Sequence, residues 1–264
     1  MLRARITPCL LIQDDGLVKT VKFKKPKYIG DPINAVKIFN EKEADELIVL
    51  DIDATSKGME PNFKLISQLA VECRMPLCYG GGIKTSKDAK KIIALGVEKI
   101  AISSAAIDKP ELIKEIANEV GNQSIVVVLD VKKKLIGKNY DVWTHNGMQN
   151  TKRCPIELAS QFEALGVGEI VINSIDNDGV MKGYDLILAQ RVRQATNLPL
   201  TFLGGAGHFQ DINNLLNTCG VVGAAAGSLF VFKGIYKAVL INYPNFENKE
   251  KILSSVLDLL NNGS

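Results

Sequence analysis

The chain has 264 residues, a formal net charge of +3, and 46% hydrophobic residues. This length fits one large α/β domain or two small ones, and so small a charge gives no argument for nucleic-acid binding. No apolar run approaches the roughly 20 residues that span a bilayer, so we expect a cytoplasmic protein with no membrane partner.

The cysteines and histidines argue against several kinds of site. The five cysteines are an odd number without a Cys-x-x-Cys pair, which argues against a disulfide framework and a structural zinc site. Neither His145 nor His208 lies in the context of a catalytic triad. We therefore expect no metal and no cofactor.

Short apolar runs alternate with amphipathic segments along the chain. The runs predict eight strands, near residues 4–11, 46–51, 76–79, 98–103, 124–130, 168–173, 199–203 and 221–225. Helices are predicted between them, for example from Asp31 to Lys42, from Ser86 to Leu95 and from Tyr184 to Ala195. Buried strands that alternate with helices indicate a parallel sheet, and eight units in about 250 residues favour a closed (β/α)₈ TIM barrel. Residues 1–264 then form one barrel domain.

Two segments interrupt this alternation. Residues 132–145 alternate polar and apolar side chains around Gly137, which predicts a β-hairpin inserted after the fifth strand. The segment from Lys19 to Lys27 is rich in lysine. We expect a solvated loop there, with a loop that attracts anions as the alternative.

The chain also repeats itself. The segment D-E-L-I-V-L-D-I-D from Asp45 resembles G-E-I-V-I-N-S-I-D from Gly168, and the same offset relates Pro76 to Pro199. A constant offset through several positions predicts two similar half-barrels of four βα units each.

Glycines and serines after the strands predict anion binding. They occur as Gly81, Gly82, Ser103 and Ser104 in the first half and as Gly204, Gly205, Gly227 and Ser228 in the second. Bare backbone N–H groups and hydroxyls are suited to bind phosphate, although tight turns alone would also use glycine. Two such sites on opposite sides of a barrel predict a substrate with a phosphate or similar anion at each end.

Carboxylates follow three of the predicted strands. Asp51, Asp130 and Asp176 lie at or just past C-terminal strand ends, which form the catalytic face of this fold. Asp130 ends an apolar run, so partial desolvation would suit it for general acid or base catalysis. An aspartate that only caps the following loop is the alternative.

Charged residues occupy the opposite, N-terminal ends of four strands. These residues are Arg5, Glu46, Lys99 and Glu169. Charges that point into a barrel floor are costly unless they are paired, so we expect them to form a neutralising ring. Such a ring can act as a brace or as a gate.

These motifs together resemble the HisF family, the cyclase subunit of imidazole glycerol phosphate synthase, over essentially the full length. The matching segments are R-I-T-P-C-L, P-L-C-Y-G-G-G-I-K-T, S-A-A-I-D-K-P-E-L-I, N-D-G-V-M-K-G-Y-D-L and G-G-A-G. The resemblance implies a HisH-like glutaminase at the N-terminal face, which releases ammonia into the barrel through the charged ring. It also implies a catalytic Asp130, a Lys19 in a first loop over the substrate, and a phosphate loop around Asp178 and Gly179.

The sequence departs from the family at the first strand. Leu11 stands where cyclases carry the second of two catalytic aspartates, and a leucine cannot transfer a proton. Ser103, Asn173 and Leu203 stand where asparagine, threonine and serine are usual in the family.

Three functions remain open at this point. The first is a HisF-like subunit that supports transfer of ammonia to an anionic, phosphorylated sugar in surface-polysaccharide amidation, together with a sugar amidotransferase; it resembles the WbuZ-type branch of the family. The second is the cyclase of imidazole glycerol phosphate synthase in histidine biosynthesis. The third is a non-catalytic barrel that activates a glutaminase.

Overall fold

Eight parallel strands form a closed barrel in the computed structural model, which describes residues 3–261. The strands are β1 (Arg5–Gln13), β2 (Leu47–Asp51), β3 (Leu77–Gly80), β4 (Lys99–Ile102), β5 (Ile125–Lys133), β6 (Glu169–Ser174), β7 (Leu200–Leu203) and β8 (Gly223–Ala226). Each strand pairs with its neighbours in chain order, and the β8–β1 pairing closes the ring. The predicted (β/α)₈ barrel is confirmed.

Helices connect the strands on the outside of the barrel. They are α1 (Pro32–Glu41), α2 (Phe63–Glu72), α3 (Ser86–Ala94), α4 (Ser104–Asp108), α5 (Glu111–Val120), α6 (Pro155–Ala164), α7 (Leu186–Ala195), α8 (Phe209–Cys219), α9 (Ser228–Val231) and α10 (Phe246–Asn261), with a short 3₁₀ helix at Asn122–Ser124. Local chemistry fixes their starts: Asp31 caps α1 by accepting a hydrogen bond from Asn34 N at 2.8 Å. None of the described helices is long and apolar enough to cross a membrane.

The alternation of side chains along each strand separates two apolar layers. On β1, Ile6 and Leu10 pack outward against the helices, whereas Cys9 and Leu11 face the barrel axis. The inner layer also includes Ile48, Cys78, Val126, Val171 and Ala225. The inside of the barrel is therefore a packed apolar core that joins the floor to the C-terminal face.

The lysine-rich segment after β1 forms paired strands, so the expected loop is wrong, although most of its lysines are solvated as expected. Strands Gly16–Val21 and Lys24–Gly30 pair antiparallel with each other, and the former also pairs with the end of β1. We call residues 14–30 the first hairpin. Its Lys19 side chain is buried, while the lysines from Lys22 onward are exposed, because the hairpin lays one face over the barrel.

A second antiparallel unit extends from β5. Strand Tyr140–Thr144 pairs with the end of β5, where Asp130 lies opposite Trp143, and the short strand Gln149–Asn150 pairs with it in turn. We call residues 134–150 the second hairpin; the predicted insertion at 132–145 falls here, and the pairing continues to Asn150. A third small hairpin, Phe232–Lys233 with Ala238–Val239, follows α9.

Candidate active site

A cavity of about 430 Å³ opens at the C-terminal ends of the strands. Most of the residues expected at the substrate site line it: Lys19, Gly81, Gly82, Ser103, Ser104, Asp130, Asp178, Gly179, Gly204, Gly205, Gly227 and Ser228. Residues as far apart in the sequence as Lys19 and Ser228 meet here because every parallel strand of the barrel ends at the same face. This cavity is the candidate active site.

Asp130 is the carboxyl group best suited to move a proton. It reaches the cavity at the end of β5, and its Oδ1 accepts a hydrogen bond from Asn173 Nδ2 at 2.9 Å. Burial raises the pKa of Asp130 to about 7, and the negative charge of Asp178 adds to this effect although the Asn173 bond opposes it. A carboxyl group with a pKa near neutrality can both accept and release a proton.

The other two carboxylates named from sequence serve the backbone. Asp51 lines the cavity, but its Oδ1 accepts hydrogen bonds from Asp53 N and Ala54 N at 3.0 Å. Asp176 accepts a hydrogen bond from Lys133 N at 2.9 Å and is not part of the cavity wall. Both therefore cap loops, which leaves Asp130 as the candidate acid or base among the three.

The opposite wall of the cavity is apolar. Leu11 on β1 and Leu203 on β7 both line it, together with Leu50. An aliphatic side chain at position 11 excludes proton transfer from this strand end. Position 11, where the resemblance to HisF implies an aspartate, thus lies in the cavity lining.

Gly81, Gly82, Ser103 and Ser104, which we call the first glycine–serine group, form one end of the cavity. Gly82 has a φ of +73°, and a Cβ there would lie 3.0 Å from the Met59 carbonyl oxygen, so glycine is required for this turn. The Ser103 hydroxyl is buried and has no hydrogen-bond partner among the residues that the structure describes. A buried hydroxyl without a partner at a cavity wall is suited to a polar ligand.

The second glycine–serine group lies beside Lys19. A Cβ on Gly227 would lie 1.9 Å from Lys19 Nζ, so the ammonium rests directly on this glycine. Gly204, Gly205 and Ser228 complete the wall here. Lys19 thus brings a positive charge to the second predicted anion site from a strand of the first hairpin rather than from a flexible loop.

Asp178 holds the first hairpin in place. Its Oδ2 accepts hydrogen bonds from Thr20 Oγ1 at 2.6 Å and from Phe23 N at 3.1 Å, and its backbone carbonyl accepts one from Lys22 N. A carboxylate accepts hydrogen bonds and repels a phosphate, and this one is already occupied by the hairpin. The phosphate loop expected around Asp178 and Gly179 would therefore use the backbone of the loop and not this carboxylate.

The four charged residues of the barrel floor form a closed ring of ion pairs. Arg5 contacts Glu46 at 3.2 Å and Glu169 at 2.7 Å, and Lys99 contacts the same two carboxylates at 2.7 and 2.9 Å. Burial alone would raise the pKa of Glu169, but Arg5 and Lys99 outweigh it and hold that pKa below its usual range. The alternating charges neutralise one another at the entrance to the inner core.

Sequence reasoning missed several residues of the cavity wall, and two of them lie at the tips of the hairpins. Phe23 and His145 line it from the tips of the first and second hairpins. Each lies in a turn with a positive φ, +59° and +53° respectively, and neither turn has a glycine at that position. Within the described chain, no cluster of three or more His, Cys, Asp or Glu side chains is arranged to hold a metal ion.

Comparison with known proteins identifies the family. The family described as histidine biosynthesis protein matches residues 5–237. The chain belongs to this family. It is 58% identical to a Vibrio vulnificus protein provisionally named imidazole glycerol phosphate synthase subunit hisF3, over 96% of this chain and 97% of the relative. It is 55% identical to a Leptospira interrogans protein provisionally named imidazole glycerol phosphate synthase subunit HisF, over 96% of this chain and 99% of the relative.

A relative without the provisional label is more distant. The imidazole glycerol phosphate synthase subunit HisF of Exiguobacterium sibiricum is 40% identical over 87% of this chain and 91% of the relative. The resemblance of this chain to the HisF family is therefore confirmed. The names of these relatives favour the second of the three functions, the cyclase of histidine biosynthesis, over the first, sugar amidation.

Proposed function

We propose that the chain is the HisF-type cyclase subunit of an imidazole glycerol phosphate synthase. The observation that carries this proposal is Asp130, a carboxyl group whose pKa is raised to about 7, in a cavity with a glycine–serine group at each end. A substrate with an anion at each end can span the two groups and present its middle to Asp130. The relatives that carry the synthase name support the same assignment.

Ammonia would reach this cavity from the opposite face of the barrel. A HisH-like glutaminase docked at the N-terminal face, in the cytoplasm, would release ammonia at the ring of Arg5, Glu46, Lys99 and Glu169. The inner layer beyond the ring is apolar, which suits a neutral ammonia molecule better than an ammonium ion. The ring would then act as the ammonia gate.

Leu11 favours a second candidate. With one acid/base group in place of two, the cavity would be slow at ring closure, and ammonia would serve a different acceptor, such as a phosphorylated sugar bound with a sugar amidotransferase. Loss of a positioned acid or base typically costs about 10²–10⁴-fold in rate. A barrel that only activates the glutaminase would bind no small molecule at the strand ends.

The test supplies the purified barrel with ammonium salt and the cyclase substrate, and measures imidazole glycerol phosphate. The first proposal predicts a slow but measurable product, reduced a further 10²–10⁴-fold in Asp130→Asn. No product from a folded barrel would contradict it. In that case the barrel and its glutaminase are assayed with glutamine and phosphorylated sugars, and consumption of a sugar would support the second candidate.

A further inference from the structure

His145 lies against the first glycine–serine group. It begins the loop at the tip of the second hairpin, and its backbone N–H donates to Ser104 Oγ at 3.4 Å. His145 lines the cavity together with Ser103 and Ser104. The hairpin therefore adds a histidine to a lining that also includes Lys84 and Asp108.

The conformation of this loop is demanding. His145 and Asn146 both have left-handed backbones, with φ of +53° and +56°. A Cβ on Gly147, whose own φ is +72°, would lie 3.1 Å from the Phe23 ring, so the loop is wedged against the first hairpin. Left-handed backbone is uncommon for non-glycine residues, although histidine and asparagine adopt it more often than most.

Thr144 orients the imidazole. The Thr144 side chain is buried, and its Oγ1 lies 3.1 Å from His145 Nδ1. When the ring is protonated, Nδ1–H donates to this hydroxyl and leaves Nε2–H for the cavity. One ring nitrogen is thus held by the protein while the other remains free for a ligand.

The two ends of the cavity differ in positive charge. Lys19 rests on Gly227 at the second site. Near the first site, Lys84 Nζ donates to the Gly58 carbonyl at 3.0 Å, which directs it to the backbone. Lys84 keeps its charge there, so a phosphate at Ser103 and Ser104 would meet this partly occupied ammonium, neutral donors and the ring of His145.

We propose that protonated His145 binds the phosphate at the first site and makes binding at this end of the substrate dependent on pH. The inference rests on the proposed function, because it requires an anion at that site. Histidine is the side chain that ordinarily changes its charge between pH 5 and 8. Substrate binding would weaken as the pH rises through this range.

Other charges surround the loop. The charged residues that line the cavity with His145 are Lys19, Asp51, Lys84, Asp108, Asp130 and Asp178, and Asp176 lies two residues before Asp178. Asp51, Asp176 and Asp178 already accept hydrogen bonds from backbone or hydroxyl donors. Asp108 and Asp130 would repel a phosphate, whereas Lys19 and Lys84 would attract it.

The test is an NMR titration of the full chain with inorganic phosphate, with each histidine ring followed across pH 5 to 9. The chain has two histidines, and His208 lies outside the cavity and serves as an internal control. At the acidic end of this range, saturating phosphate should shift the ring signals of His145 and leave those of His208 unchanged, and phosphate should bind about tenfold more weakly to His145→Gln.

Two failures are distinguishable. Phosphate that shifts the amides of Gly82, Ser103 and Ser104 but leaves the His145 ring signals unchanged would overturn this inference and keep the anion site. Phosphate that shifts none of these signals would contradict the anion site and the proposed function with it.

Matched variants test the same point in the reaction. His145→Gln keeps a side-chain N–H donor but cannot be charged, so it should raise the KM about tenfold at pH 6, narrow the difference in KM between pH 6 and pH 8, and leave kcat within about twofold. His208→Gln should match the unsubstituted protein. A loss in kcat with an unchanged KM would contradict the assignment.

Discussion

At the scale of single residues, the environment of Asp130 sets both reactivity and stability. Burial raises its pKa to about 7, whereas an unfolded chain would ionise it near pH 3.9. Because the folded-state pKa is raised, the folded protein binds more protons than the unfolded one between these values. Stability from this group therefore falls as the pH rises from about 4 to about 7, and stays reduced above that.

Asp130→Asn should accordingly stabilise the protein while it removes activity. The amide keeps the shape of the side chain and a contact with Asn173, but has no charge to desolvate. The gain in the free energy of unfolding should be on the order of 4 kcal/mol at pH 8 and near zero at pH 4. Urea unfolding of both proteins at the two pH values measures it, and an equal difference at both would contradict the raised pKa.

At the scale of elements, the first hairpin depends on one short loop after β6. Gly179 has a φ of +67°, and a Cβ there would lie 2.2 Å from the Thr20 carbonyl oxygen, so only glycine allows the hairpin to lie this close. Asp178 then binds Thr20 and Phe23. Since the same hairpin presents Lys19 and Phe23 to the cavity, its anchoring determines how the cavity is closed.

Asp178→Ala should release the first hairpin without unfolding the barrel. The Thr20 hydroxyl and the Phe23 N–H lose a charged acceptor, which costs about 1.5–3 kcal/mol for each bond. Hydrogen exchange of residues 16–30 should become about 10²-fold faster or more, and trypsin should cleave after Lys22 and Lys24. Exchange in the barrel strands should stay slow.

Asp88→Ala is the matched control for this experiment. It removes a helix cap at the start of α3, which costs about 1 kcal/mol, and its hydrogen-bond partners lie at Lys84 and Thr85, away from the first hairpin. Equal exchange in residues 16–30 of the Asp178 variant and this control would show that the hairpin is held by other contacts.

At the scale of the whole molecule, the floor ring and the cavity lie at opposite ends of one inner core. Lys99→Ala leaves Glu46 and Glu169 with Arg5 alone, which should cost roughly 3 kcal/mol of stability. If the ring is also a gate, the ratio of glutamine-dependent to ammonia-dependent product should change, because free ammonia can enter from the open C-terminal face. The assay uses the barrel with its glutaminase.

Lys90→Ala separates this effect from a general loss of lysine. Lys90 pairs with Glu119 at 2.8 Å on the outer helices, where both side chains are exposed, so little change in stability or product ratio is expected. An unchanged ratio in Lys99→Ala, with stability alone reduced, would make the ring a purely structural brace.

The two hairpins over the cavity show where sequence patterns are insufficient. The turn at Asp14 and Asp15 and the turn at Lys22 and Phe23 join strands through two residues with positive φ, yet none of the four is a glycine or an asparagine. Contacts with Asp178 hold the turn at Lys22 and Phe23 against these local preferences, whereas aspartate is itself favoured in turns such as that at Asp14 and Asp15. Tertiary packing also positions His145, because Gly147 of the same turn packs closely against the Phe23 ring of the first hairpin.

The sequence alone determined the eight-stranded barrel, because buried strands and amphipathic helices have periods that can be read locally. It also named Asp130, both glycine–serine groups and the four charged residues, because strand ends share a face in this fold. Only the tertiary structure decided that Asp51 and Asp176 cap loops, that Asp178 anchors a hairpin, and that His145 reaches the cavity. Those roles depend on contacts with residues that are distant in the sequence, and local sequence patterns do not specify such contacts.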